Sequence, residues 1–308
     1  MGSPLYSQIV NYFANWMSFS KTSTTVFVCL VICFFTHITA SDQSAQVTNP
    51  KSYKSSIDES SGLARKGEDL WTLNDSGNTA TLFKLNINGQ LLGSFTISGT
   101  ENVDWESLAH DEKFIYIADT GNNFNRRNFF TIYRVEWRNI ERKNPEVDSI
   151  TFSYANHVRG KPRSHNFDAE ALAIRGEEIW LFTKNRGDLH SNLYRFPKDP
   201  GHYEVSPTQS LPVDSLVTAA DIHPKTGELL LVSTKKTRKG WMSFVWLAPT
   251  TMNGVDWKNH KSVRIQPNDQ WEAVVWDEFG INILLSHENN QRGTAGMARL
   301  PRSAIEVP

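Results

Sequence analysis

A pattern of short strands that comes round five times restricts the possible folds most. From Glu59 onward apolar residues fall in brief runs, such as Leu70-Trp71-Thr72-Leu73, Phe114-Ile115-Tyr116-Ile117 and Ile179-Trp180-Leu181-Phe182. Clusters of Gly, Asn, Asp and Pro separate them. The period is two, that of a strand with opposed faces, and no stretch of twelve residues sustains a helical period. In each copy a strand with an acidic residue near its start is followed by a turn, a second apolar strand and a polar loop. The first strands are 59–64, 104–109, 168–173, 218–222 and 271–275. Aligning Ser61, Glu106, Glu170, Ala220 and Glu272 spaces the copies by 45, 64, 50 and 52 residues, and each interval holds two further strand-like runs.

Four strands every 40–60 residues is the signature of a propeller blade, a sheet that cannot bury both faces alone and therefore packs against its neighbours. The expected fold is an all-β propeller over residues 55–308. Five blades of four antiparallel strands are expected, or six if the long second interval hides another. A strand from residues 45–57 completes the last sheet and closes the ring, within a linker at 41–54.

Residues 22–40 carry no charge and centre on Val26 to Phe35, with Lys21 ahead and Thr39-Ala40 behind. This reads as a signal peptide over residues 1–40, cleaved after Ala40, with an uncleaved membrane anchor as the alternative. Met17 is the tidier start for such a signal. Export places the protein in the periplasm or outside the cell. Both cysteines, Cys29 and Cys33, lie in this segment, so the mature chain offers neither disulfides nor thiolate ligands.

Composition narrows the function classes. Hydrophobic residues at 39% suit a globular domain rather than a disordered one. The formal net charge of −1 argues against a nucleic-acid binder, which needs a basic surface. No HExxH, P-loop, dinucleotide fingerprint or Gly-x-Ser-x-Gly elbow is present. No membrane association beyond the export signal is expected, and the propeller is expected to be a monomer.

Propeller topology puts the start of each first strand and the end of each second strand at one end of the central channel. The strand starts supply Glu59, Asp104, Glu106, Asp168, Glu170, Asp221 and Glu272; the loops supply Asn74, Asp75, Asp119, Asn122, Asn123, Lys184, Asn185, Lys235, His287 and Glu288. Oxygen donors without cysteine suit a hard cation, Ca2+ or another divalent ion. Glu59, Asp104, Asp119, Asp168 and Asp221 are the expected metal ligands. Glu106, Glu170, Glu272 and His287 are the expected catalytic groups. Asn74, Asp75, Arg126, Lys184, Asn185 and Lys235 are expected to bind substrate. The competing account of the Asp and Asn residues is turn capping through their own backbone.

The motifs at 59–64 (Glu-Ser-Ser-Gly-Leu-Ala), 74–78 (Asn-Asp-Ser-Gly-Asn), 104–109 (Asp-Trp-Glu-Ser-Leu-Ala), 118–123 (Ala-Asp-Thr-Gly-Asn-Asn), 132–134 (Ile-Tyr-Arg), 168–172 (Asp-Ala-Glu-Ala-Leu) and 218–222 (Thr-Ala-Ala-Asp-Ile) are similar in order to a group of exported bacterial β-propeller proteins. Most of that group is uncharacterised, and some members are loosely comparable to phytase-like or esterase-like propellers. The resemblance covers residues 55–308 and implies an acidic channel mouth without supplying a substrate. Asp is common in that pattern where Asn122 stands, which removes one carboxylate. Two functions follow as expectations. One is a cation-dependent hydrolase of phosphoester, ester or lactone substrates. The other is a non-catalytic module that presents Phe124, Trp241 and Trp257 to a carbohydrate, a peptide or an envelope or other extracellular protein.

Overall fold

The computed structural model describes residues 44–306 except 239 and 290–293. Residues 1–40, read from the sequence as a signal peptide, lie outside the described residues, and both cysteines with them. The described part is a five-bladed β-propeller. Blade 1 runs outward through Ser60–Lys66, Asp69–Asn74, Thr81–Leu85 and Leu91–Thr96. Blade 2 comprises Trp105–His110, Phe114–Asp119, Phe130–Glu136 and Val147–Tyr154. Blade 3 comprises Ala169–Arg175, Glu178–Thr183, Ser191–Pro197 and Pro207–Leu211. Blade 4 comprises Leu216–Ile222, Leu229–Thr237, Gly240–Ala248 and Lys261–Gln266. Blade 5 has Trp271–Trp276, Asn282–His287 and Gly296–Pro301 from the C-terminal end, and Thr48–Ser52 from the N-terminal end as its outer strand. The ring is thus closed by an N-terminal strand, as the strand count requires.

Two passing segments stitch outer edges together. Ser44–Gln46 lies parallel to the outer strand of blade 4 just before the chain enters blade 5. Gly201–Val205 lies parallel to the outer strand of blade 2 just before the chain completes blade 3. Each covers an edge that would otherwise present unpaired backbone groups.

The core is divided among the blade junctions. Five apolar clusters fill the five gaps between neighbouring blades, each built from both sheets. The second strands are buried along almost their whole length, which explains their unbroken apolar runs. The innermost strands converge on the axis and are correspondingly rich in small residues, among them Gly62, Ala64, Ala109, Ala171, Ala173 and Ala219. At Gly62 a Cβ would lie 2.6 Å from the backbone nitrogen of Leu108 in blade 2. Two backbones approach too closely there for any side chain. Gly62→Ala is therefore expected to destabilise the fold by about 1–3 kcal/mol, the usual cost of overpacking a close contact, read as a lower denaturant midpoint. An unchanged midpoint would mean that blades 1 and 2 can separate without loss.

Candidate metal centre

All five innermost strands carry a β-bulge at the same level. Their pairing with the second strands slips at Ser60/Gly62, Trp105/Ser107, Ala169/Ala171, Val217/Ala219 and Trp271/Ala273. The residues skipped are Ser61, Glu106, Glu170, Thr218 and Glu272. A bulge re-aims the side chain of the extra residue, and around an axis that re-aiming is repeated five times. Three of the five positions are glutamate. Thr218, not Ala220, is the fourth member, so the alignment of the repeat moves by two residues in blade 4. There the hydroxyl of Thr218 donates to the carbonyl of Trp271, 2.8 Å away, and joins blade 4 to blade 5.

The glutamates meet carboxylates from the neighbouring strand starts and loops. Oxygens of Asp75, Asp104 and Glu106 lie within 4.8 Å of one another, as do oxygens of Glu106, Asp168 and Glu170. Glu106 belongs to both groups, is 4% exposed, and its Oε1 is buried without a hydrogen-bond partner. Gly121 forms part of the cradle: a Cβ on it would lie 2.4 Å from both Asp104 Oδ2 and Glu106 Oε1.

The two groups differ in how their charge is met. Lys184 pairs with Glu170 and lies 3.8 Å from Glu272. Arg186 lies 3.0 Å from Asp168 and 3.3 Å from Glu170, and also donates to the Asn123 side chain. Asn122 N–H donates to Asp168 Oδ1 at 2.7 Å. No ion pair reaches Asp75, Asp104 or Glu106 among the described residues. Burial therefore pushes Asp75 up to about 6 and Asp104 up to about 7, and neighbouring carboxylates add to it. Burial, then Glu272 and Asp75, push Glu288 up to about 8. Glu106 and Glu170 are raised well above the carboxylate range, first by burial; Lys184 and Arg186 oppose the shift at Glu170, whereas at Glu106 the next largest influences are neighbouring carboxylates, which add to it. Burial works against the charge on Lys184, but Glu170 and Glu272 outweigh it and keep the ammonium protonated.

The other expected site residues have different placements. Asp221 is not at this mouth. It ends its strand at the opposite end of the channel, beside a cavity of about 860 Å3, and accepts from the backbone N–H groups of Ile222 (2.8 Å) and Trp276 (2.9 Å). Asp119 is buried, with Oδ1 receiving the Asp104 N–H at 3.1 Å and an ion pair from Arg127 at 2.7 Å, so it fixes the strand start. Glu59 stands exposed on the rim and accepts from Asn78 at 2.7 Å. Asn74 ends its strand and Asn185 lies in the loop after Glu178–Thr183, and both side chains are spent on local contacts. Asn74 donates to the Ser56 carbonyl at 3.0 Å, and Asn185 to Asp188 at 3.0 Å. Lys235 pairs on the surface with Asp214 at 2.6 Å, away from the carboxylates. His287 packs its ring edge on Trp271, 5.1 Å between centroids, and its Nδ1 lies 2.8 Å from the Glu288 carbonyl; the Glu288 carboxylate, not the imidazole, joins the cluster. Lys184 is committed to glutamates rather than open to substrate.

Arg127 and Arg186 were not among the expected residues. Arg186 had a signal, since it is two residues from Lys184 and alternation puts both on one side of the chain, with Asn185 on the other. Asn122 is a hub. It donates to the Phe167 carbonyl at 3.0 Å and accepts from the Arg126 and Arg127 backbone N–H groups at 2.9 and 3.1 Å, and a carboxylate could not make the first bond. Trp257 packs in a cluster with Trp246 and His260, and Trp241 lies against Lys236.

No protein-family model matches the sequence, and no curated protein does. Among solved structures the chain is similar to the RRP9 WD40 repeats at 7% identity over 82% of this chain and 100% of that one, with a TM-score of 0.41. It is similar to Kuenenia stuttgartiensis hydrazine synthase at 12% identity over 80% and 88%, with a TM-score of 0.40. It is similar to U3-55K at 9% identity over 78% and 68%, with a TM-score of 0.38. The blade count rests on this chain's own strand pairing.

Without a cation, the raised carboxyls hold protons in the folded state that the unfolded chain has released. The stability they contribute is complete below the ordinary carboxylate value of about 4 and is lost as pH rises through about 6 to about 8. In chelator the melting temperature is expected to fall between about pH 5 and about pH 8, and Glu106→Gln to flatten that slope. A melting temperature that climbs over this range would contradict the assignment.

Proposed function

We propose that this propeller binds a hard divalent cation, Ca2+ being the first choice, at the acidic mouth of its channel, and that it is a cation-dependent hydrolase of an ester, phosphoester or lactone. The observation that carries the reading is the buried, unpartnered Oε1 of Glu106, held against Gly121, on a carboxylate that groups within 4.8 Å with oxygens of Asp75 and Asp104. A buried carboxylate oxygen with no donor costs free energy unless a cation offsets it. The donor set is all oxygen, which suits Ca2+ with its six to eight oxygen ligands and excludes thiolate-seeking metals.

Asp75, Asp104 and Glu106 would hold the ion, because Lys184 and Arg186 already neutralise the other group. When bound, such an ion polarises an ester or phosphoryl oxygen and lowers the pKa of water. The chain's own residues supply the rest. Lys184 and Arg186 keep Glu170, Glu272 and Asp168 in place. Glu288, raised by burial and by Glu272 and Asp75, belongs to the same acidic cluster and is the group assigned here to take or return a proton.

Calorimetric titration with Ca2+, Mg2+ and Mn2+ tests the reading directly. Ca2+ is expected to bind and to raise the melting temperature. Glu106→Gln should weaken binding at least about tenfold, the effect of removing a charged ligand. Gly121→Ala should do the same without unfolding the protein, because its Cβ displaces both carboxylates. Ca2+-dependent turnover in a screen of aryl esters, phosphoesters and lactones is expected to vanish in both variants. No binding of any of the three ions by folded protein would overturn the proposal.

A further inference from the structure

The carboxylate basin has a basic lip on one side. Loops 120–129 and 155–167, both at the mouth end of blade 2, contain Arg126, Arg127, Arg159, Lys161 and Arg163 and no Asp or Glu. Arg127 is tied to Asp119. The other four are exposed and, among the described residues, none has a carboxylate partner. Net charge near zero therefore conceals a mouth with a negative floor and a positive rim.

The lip is a built surface rather than a loose loop. Asn125 Nδ2 donates to the carbonyls of Val158 and Gly160 at 2.9 and 2.6 Å, and His157 Nε2 lies 2.7 Å from Asn125 Oδ1. Arg159 donates to Asn128 at 2.9 Å, and the Arg163 N–H to the Asn123 carbonyl at 3.0 Å. Asn123 also receives Arg186 from the basin, so lip and floor share a residue. Among the described residues, three of the six non-glycine residues with positive φ lie here: Asn125 at 53°, Lys161 at 28° and Arg163 at 57°. Such strain persists only where surrounding contacts over-determine it, and it gathers at binding sites.

Apolar groups stand among these cations. Phe124 is 51% exposed and Val158 70% exposed. The guanidinium groups of Arg126 and Arg163 lie 5.3 and 5.6 Å from the Phe124 ring centroid. Stacking fixes guanidinium planes and leaves their donor edges open to an oxyanion. An inorganic polyphosphate would use the charges and leave Phe124 and Val158 in water. A chain of acidic sugars uses both, since a uronate ring carries a carboxylate and an apolar C–H face.

We propose that this lip binds a uronate-type acidic oligosaccharide and leads it towards the carboxylate floor. As the substrate class of the site, where the bond to be cut would be an ester carried by such a sugar chain, this rests on the cation reading; as a binding surface for the acidic sugars themselves, it does not. The test is calorimetry with trigalacturonate, with the neutral galactose trimer, tripolyphosphate and an Asp/Glu-rich peptide as controls, each with and without Ca2+. Trigalacturonate is expected to bind, and the neutral trimer not. Arg126→Glu with Arg163→Glu should weaken binding at least about tenfold, as loss of charge-assisted bonds would. Phe124→Ser should weaken it several-fold, and both variants should retain Ca2+ binding and fold. Equal or tighter binding of tripolyphosphate or the peptide, or indifference to either variant, overturns the proposal. Ca2+ binding without trigalacturonate binding removes the lip alone. Lip-dependent binding that survives Glu106→Gln and chelator leaves the lip standing without the cation.

Discussion

Like charges do not gather unless something forces them together, and here ring closure does so. Five strands that converge on an axis carry small residues among their larger ones, and at Gly62 the backbones of neighbouring blades nearly touch. The bulges lie at one level. Each turns an extra residue out of the regular alternation; three of the five are glutamates, and two of these, Glu106 and Glu170, have oxygens within 4.8 Å of aspartate oxygens from strand starts and a loop. The free energy that holds this arrangement comes from elsewhere, from the five apolar clusters between blades. Self-repulsion at the mouth is tolerated because the fold is secured at its junctions.

The cations at the mouth are distributed unevenly, and the unevenness is informative. Lys184 and Arg186 come from one loop of blade 3 and serve Asp168, Glu170 and Glu272. Arg127 comes from blade 2 and serves Asp119. If the carboxylates were present only to cap turns, their neutralisation would be expected to be complete. Asp75, Asp104 and Glu106 instead have no ion pair among the described residues, and burial raises the proton affinity of all three.

Much of this was legible in the chain. Period-two runs at a regular spacing specify a propeller because both signals are local and independent of detail. The motifs at 104–106 and 168–170 placed acidic residues at strand starts, and topology alone then brought them together. What alignment could not show was the bulge. A bulge changes pairing without changing the run of apolar residues, so blade 4 was aligned on Ala220 instead of Thr218, and Asp221 was assigned to the wrong end of the channel. The other differences have the same origin in local geometry. Asn185 and Lys184 are adjacent but face opposite ways. Arg126 and Arg127 are also adjacent. Asn122 accepts both backbone N–H groups in a turn that sends Arg127 back to Asp119 and leaves Arg126 outside. Neither direction is a property of residue type.

The two ends of the channel show what the bulges add. At the far end the innermost strands finish without them, and Asp221 is satisfied by two backbone N–H groups from its own and the next blade. It too has a raised proton affinity, pushed up to about 7 by burial, yet its oxygens have donors. At the near end Glu106 has the same kind of burial and an oxygen with no donor at all. Burial alone therefore does not distinguish the ends. The distinction is what each side chain can reach: Asp221 lies against backbone amides, Glu170 is met by Lys184 and Arg186, and the re-aimed Glu106 is left with an oxygen that no donor of the described residues reaches.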